Sequence, residues 1–233
     1  MKQRGSPVIE HEAQQVTIPA DSVVLQGDLT LPEDAIGIVV FAHGSGSGRR
    51  SPRNRSVAAF LQQAHLATLL VDLLATDEAA ADEITGEFRF NIEMLAVRVC
   101  AAVDWLVAEP RTRRLPIGVY GASTGAAAAL MAAAADPRHV KTLVSRGGRP
   151  DLAGTALAKV VAPALLIVGG ADAVVLRLNR QAMAELRCEK RLEIVPGATH
   201  LFEEPGALDV VSTLARDWFV LHLGDVRGMQ AAE

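Results

Sequence analysis

The sequence predicts an α/β fold: a mostly parallel central sheet of about eight strands, flanked by helices, with no large lid domain. Three observations carry that expectation. Short apolar runs alternate with segments of helical spacing from Ile36 onward. Several of those runs break into loops of glycine and small polar residues, as after Ala42, Tyr120, Val168 and Val195. Half of the 233 residues are apolar (50%), enough to cover both faces of a sheet.

Residues Met1 to Glu12 are polar and are expected to form a loose start to a single domain spanning 1–233. Gln15–Pro19 and Ser22–Leu31 read as two strands joined by a turn at Ala20-Asp21, the second alternating as a half-exposed antiparallel edge does. Ile36–Ala42 is a continuous apolar run and therefore a central, buried strand. A helix follows, with Val57, Phe60, Leu61 and Ala64 on one side, and then a strand over Leu66–Leu74. Thr76–Phe90 is acidic and aperiodic, a loop or short helix. Asn91 is a natural N-cap for a helix to Ala108 that buries Ile92, Leu95, Val99, Val103 and Leu106. Leu115–Tyr120 is a strand that runs into Gly121-Ala-Ser-Thr-Gly125 and an alanine-rich helix to Ala135. Strands over Val140–Ser145, Ala162–Val168 and Lys190–Val195 follow. A helix over Leu178–Leu186 and a last one marked by Leu208, Val211, Leu214, Ala215, Trp218 and Phe219 complete the pattern. No internal repeat or linker divides the chain, and the stretch between Arg146 and Ala162 is too short for a lid domain.

Composition excludes several function classes. A net charge of -4 offers nothing to nucleic acid. The opening Met1–Pro7 lacks an apolar leader core, and the longest small and apolar run, Gly125–Ala135, is too short to span a bilayer. Two cysteines, Cys100 and Cys188, without C-x-x-C spacing, fit a reducing cytoplasm. No metal-ligand cluster is evident, and Gly44-x-Gly46-x-Gly48 lacks the spacing of a dinucleotide loop, so no cofactor is expected.

The chemistry is concentrated where strands end, the place where parallel sheets gather ligands. Gly121-x-Ser123-x-Gly125 lies at a strand-to-helix turn, the context in which a tight elbow exposes a serine oxygen. A serine hydroxyl needs a base to take its proton, and His200 follows a later strand. The base in turn needs a carboxylate to orient it and balance its charge, which Asp172 can supply. The backbone N–H groups of Thr124 and Ser45 are the candidate oxyanion donors. Each residue also has a plainer reading: Ser123 as an inert turn residue, Asp172 as a helix cap, His200 as a surface loop residue. Asp72 lies near another strand end and is the rival for the acid role, while His43 begins the glycine loop and is read as shaping it.

Phe41-Ala-His-Gly-Ser-Gly-Ser-Gly48, the elbow, Leu166-Ile-Val-Gly-Gly-Ala-Asp172 and Pro196-Gly-Ala-Thr-His200 together resemble the α/β-hydrolase superfamily. More closely, they are similar to small, lidless members of the dienelactone hydrolase-related group, from about Val16 to Leu221. The resemblance implies an α/β-hydrolase fold with Ser123 as nucleophile, Asp172 as acid and His200 as base, in the order that fold uses. One departure is visible: dienelactone hydrolases carry cysteine at the elbow, where this chain has Ser123. That departure favours a general ester hydrolase.

Arg49, Arg50, Arg53 and Arg55 crowd the loop after the glycine segment, and Arg146 and Arg149 follow another strand. They make either a solvated basic surface or, through Arg49, Arg50 or Arg146, a grip on an anionic substrate group. The expected activity is hydrolysis of a small ester, lactone or thioester. A non-catalytic ligand-binding protein on the same scaffold and transfer to an acceptor other than water are the alternatives.

Overall fold

The computed structural model describes residues 12–224; all but the last of the loose N-terminal residues expected over 1–12 lie outside them. Among the described residues, eight strands form one sheet in the order β1-β2-β4-β3-β5-β6-β7-β8. They are β1 (Gln14–Ala20), β2 (Val23–Thr30), β3 (Gly37–Ala42), β4 (Leu66–Val71), β5 (Ile117–Ala122), β6 (Val140–Arg146), β7 (Ala164–Gly169) and β8 (Lys190–Val195). β2 runs antiparallel to both β1 and β4, and every pairing from β4 to β8 is parallel. The alternating second strand is thus paired on both sides, and the edge is β1.

The helices are α1 (Pro52–Gln62), α2 (Thr76–Thr85), α3 (Ile92–Ala108), α4 (Thr124–Ala135), α5 (Ala173–Glu185) and α6 (Ala207–Gly224). The sheet separates two apolar cores. On one face, Leu95, Val99, Val103 and Leu106 of α3 pack with the small residues of α4 and with Ala182 of α5. On the other, Val57 and Leu61 of α1 meet Val211, Ala215 and Trp218 of α6. The central strands β3, β4, β5 and β7 are buried along their whole length, as continuous apolar runs require.

Asn91 caps α3 by accepting the Met94 N–H at 3.1 Å, and the five residues assigned to its inner face are buried. The aperiodic acidic stretch contains α2, whose single buried residue is a carboxylate, Asp82. Apolar spacing could not reveal such a helix. Its entry is fixed by Glu78 Oε2, which accepts the Ala75 N–H at 2.8 Å. Burial pushes the Asp82 carboxyl up, but the N–H groups of Arg89 and Phe88 and the Arg89 guanidinium outweigh that and hold it below its ordinary range. Between β6 and β7 the chain makes two short 3-10 turns within Pro150–Lys159, bent at Gly154 (φ 51°).

Candidate active site

The elbow is built by close approach. Ser123 has φ 52° and ψ -120°, a conformation that costs an L-residue about 1–3 kcal/mol. A Cβ on Gly125 would stand 2.3 Å from the Ala42 carbonyl oxygen, so only glycine lets α4 start against the end of β3. The strain is held by the Ser123 N–H, which donates to the Arg146 carbonyl at 3.2 Å, and by the Arg149 N–H, which donates to the Ser123 carbonyl at 3.0 Å.

The loops after β7 and β8 bring Asp172 and His200 to this serine. The Ala171 N–H donates to the Ala198 carbonyl at 2.9 Å and the Gly170 N–H to the Val195 carbonyl at 2.8 Å. A Cβ on Gly169 would lie 2.3 Å from the Ala198 carbonyl oxygen, so the two loops touch backbone to backbone. The His200 loop is closed on itself by Glu204, whose Oε1 accepts from Thr199 N–H at 3.0 Å and from Thr199 Oγ1 at 2.6 Å. The Thr199 hydroxyl, followed by the backbone N–H groups, draws the Glu204 carboxyl below its ordinary range.

His200 bridges the other two residues. Its Nδ1 is 2.8 Å from Asp172 Oδ2 and its Nε2 is 3.3 Å from Ser123 Oγ. The second Asp172 oxygen accepts the Val175 N–H at 3.3 Å and caps α5. The cap and the histidine contact are therefore compatible, one for each oxygen.

The glycine loop crosses the elbow so closely that a Cβ on Gly44 would lie 3.0 Å from the Ser123 Cβ. Ser45, an expected oxyanion donor, gives its N–H to the hydroxyl of Thr124 at 3.0 Å. His43 anchors the loop. Its Nε2 accepts the Leu73 N–H at 2.9 Å, which puts the ring proton on Nδ1, 2.9 Å from the Gly44 carbonyl. Burial pushes the His43 pKa down, against the Gly44 hydrogen bond and the Asp72 charge, so the ring stays neutral.

The arginines divide. Arg49, expected at the pocket mouth, is engaged elsewhere: its Nε contacts Asp28 Oδ1 at 3.1 Å, its Nη1 pairs with Asp72 Oδ2, and its N–H donates to Asp72 Oδ1 at 2.7 Å. That also occupies Asp72, the rival acid. Arg146, the other expected gripping residue, is buried against Asn54 Oδ1 (3.4 Å) and over the Phe202 ring, 5.8 Å from its centroid. Arg50 is exposed and has no charged partner among the described residues. It lines a cleft of about 740 Å³ with the glycine loop, Arg53, Leu74, Asp82 and Arg89. Sequence reasoning missed Glu204, Asp28 and the Thr124 hydroxyl. Only Glu204 carried a local signal, a carboxylate just past a loop threonine.

The model of the dienelactone hydrolase family matches residues 29–218. This chain belongs to the dienelactone hydrolase family. It is 54% identical to a dienelactone hydrolase from Anabaena variabilis of known crystal structure, covering 91% of this chain and 99% of that one at a TM-score of 0.89. Est1E from Butyrivibrio proteoclasticus shares the fold at 17% identity, with a TM-score of 0.74 over 90% of this chain and 98% of its own. A Mycobacterium tuberculosis protein named "Putative phosphoribosyl transferase" is 56% identical over 211 residues, 90% of this chain and 46% of that protein. The chain thus spans about half the length of this mycobacterial relative. The molecule has the α/β-hydrolase fold of that family, and among the described residues no helix is long and apolar enough to cross a membrane.

Proposed function

We propose that this enzyme is a serine hydrolase that cleaves a small carboxylic ester, lactone or thioester through an acyl-enzyme on Ser123. The observation that carries this is the His200 imidazole lying within hydrogen-bond reach of both Ser123 Oγ and Asp172 Oδ2. In the first half-reaction His200 Nε2 takes the hydroxyl proton as Ser123 Oγ attacks the carbonyl carbon. Asp172 holds the imidazole and balances its charge. The same proton then passes to the leaving oxygen or sulfur as its bond to the carbonyl carbon breaks. Water, deprotonated by His200, releases the acid and restores the serine. The orphan N–H groups at the start of α4, that of Thr124 first, face the charge that develops on the carbonyl oxygen.

Within this reading the substrate carries a negative charge held in the cleft by Arg50, the arginine left unpaired there. The free thiols of Cys100 and Cys188 fit a reducing, cytoplasmic setting. The transferase name of the mycobacterial relative we attribute to the portion of that protein with no counterpart in this chain.

A fluorophosphonate probe and short p-nitrophenyl esters test the proposal. Wild type is expected to label and turn over. Ser123→Ala is expected to lose labelling and at least about 10⁴-fold in kcat. A folded wild-type protein that neither labels nor hydrolyses would point to a binding protein on this scaffold.

A further inference from the structure

We infer that the side-chain hydroxyl of Thr124 is itself an oxyanion donor, and that the Ser45 N–H serves to aim it. This rests on the reading of Ser123 as nucleophile. Thr124 is the first residue of α4, next to Ser123, and is 3% exposed. Its Oγ1 accepts the Ser45 N–H at 3.0 Å, which ties up the donor that the glycine loop would otherwise present. The hydroxyl proton must then point away from Ser45. A threonine inside a helix usually gives that proton to a carbonyl one turn earlier, but the first helical position has no earlier turn. Among the described residues the Thr124 hydroxyl makes one hydrogen bond, the one it accepts from Ser45, and donates to no protein acceptor. The fold has therefore buried a hydroxyl with one lone pair engaged and its proton uncommitted, on the residue next to the proposed nucleophile.

A buried donor without an acceptor is costly, so its persistence at this position calls for an acceptor that arrives with the substrate. The carbonyl oxygen attacked by Ser123 is that acceptor. The bond strengthens as the oxygen becomes negative, so it acts chiefly in the transition state. The N–H received from Ser45 polarises the hydroxyl and makes it a better donor. The resulting relay runs Ser45 N–H to Thr124 Oγ1, and Thr124 O–H to the oxyanion, alongside the Thr124 N–H.

Thr124→Val, Thr124→Ala and Thr124→Ser are compared with wild type by ester kinetics, thermal midpoint and affinity for an alkylboronic acid, a tetrahedral analogue. Loss of the hydroxyl is expected to lower kcat about 100- to 1,000-fold with KM nearly unchanged, and to weaken the boronic acid in parallel. Thr124→Ser is expected to restore both to within several-fold. If Val packs badly and the midpoint falls, the Ala and Ser pair carries the same contrast. Unchanged or increased kcat in Thr124→Val or Thr124→Ala, with Ser123→Ala inactive, would overturn the inference while leaving the serine hydrolase reading intact. The increase would mean that the hydroxyl merely competes for the Ser45 N–H. Wild type without esterase turnover would instead remove the reading beneath it.

Discussion

Two carboxylate-centred clusters sit at the carboxyl edge of the same sheet. In one, Asp172 holds His200, which reaches Ser123. In the other, Asp72 and Asp28 hold Arg49. Both are partly shielded from water, and each is assembled from segments distant in the chain. They differ in what the central side chain can do. The imidazole has one nitrogen on a carboxylate and the other on a hydroxyl, so it can accept a proton from one side while held on the other. A guanidinium keeps its charge, and here carboxylates take its N–H groups. Position at a strand end thus gathers polar groups, and the capacity to move a proton separates the proposed reacting set from the bracing one.

The sharpest way to break this comparison is to neutralise each aspartate. Asp172→Asn is expected to cut kcat roughly 10⁴-fold, because the amide stabilises the wrong imidazole tautomer and leaves the developing charge uncompensated. The fold should survive, since the asparagine oxygen can still accept the Val175 N–H that caps α5. Asp72→Asn is expected to leave kcat within a few-fold but to lower unfolding stability by about 1–3 kcal/mol, since it strips Arg49 of one of two counter-charges. Ester kinetics and denaturant titration read both variants. Loss of turnover in Asp72→Asn with activity kept in Asp172→Asn would exchange the two roles.

A smaller effect separates the bracing arginine from the free one. Arg50→Ala is expected to raise KM for a carboxylate-bearing ester about ten-fold and to leave a neutral ester unaffected, because a screened, exposed contact is worth little more than 1 kcal/mol. Arg49→Ala is expected to lose stability without changing that preference. Steady-state comparison of the two esters in both variants distinguishes them. An equal response to both esters in Arg50→Ala would remove the proposed grip.

The sheet was readable because its parallel strands are buried on both sides and so are written as unbroken apolar runs, β3 and β7 above all. α3 was readable because its apolar spacing and its cap agree. α2 was not, because it buries a carboxylate in place of an apolar stripe. At the candidate site, Ser123, Asp172 and His200 each follow a strand, and strand ends converge by topology alone. The fate of the arginines depended on pairing across the sheet. Asp28 lies on β2, antiparallel to β4, and no local pattern links it to Arg49. The Thr124 hydroxyl was equally hidden, since its partner comes from the loop after β3.

His43 offers the finest division between bracing and reacting groups. It is a histidine beside the nucleophile loop, yet both of its nitrogens are spent on backbone groups at Leu73 and Gly44. Burial holds its folded pKa below the ordinary 6.5, although the Gly44 hydrogen bond and the Asp72 charge pull the other way. Between that lowered value and 6.5, the unfolded chain binds a proton that the folded chain refuses. The contribution to stability is therefore complete above pH 6.5 and is lost as the pH falls through the folded value. His43→Gln keeps an acceptor for the Leu73 N–H and removes the titration, so its stability is expected to decline less steeply than wild type below pH 6.5. Denaturant midpoints measured across that range provide the test. Parallel curves for the two proteins would show that His43 does not titrate with the fold, and would leave the glycine loop without its proposed neutral anchor.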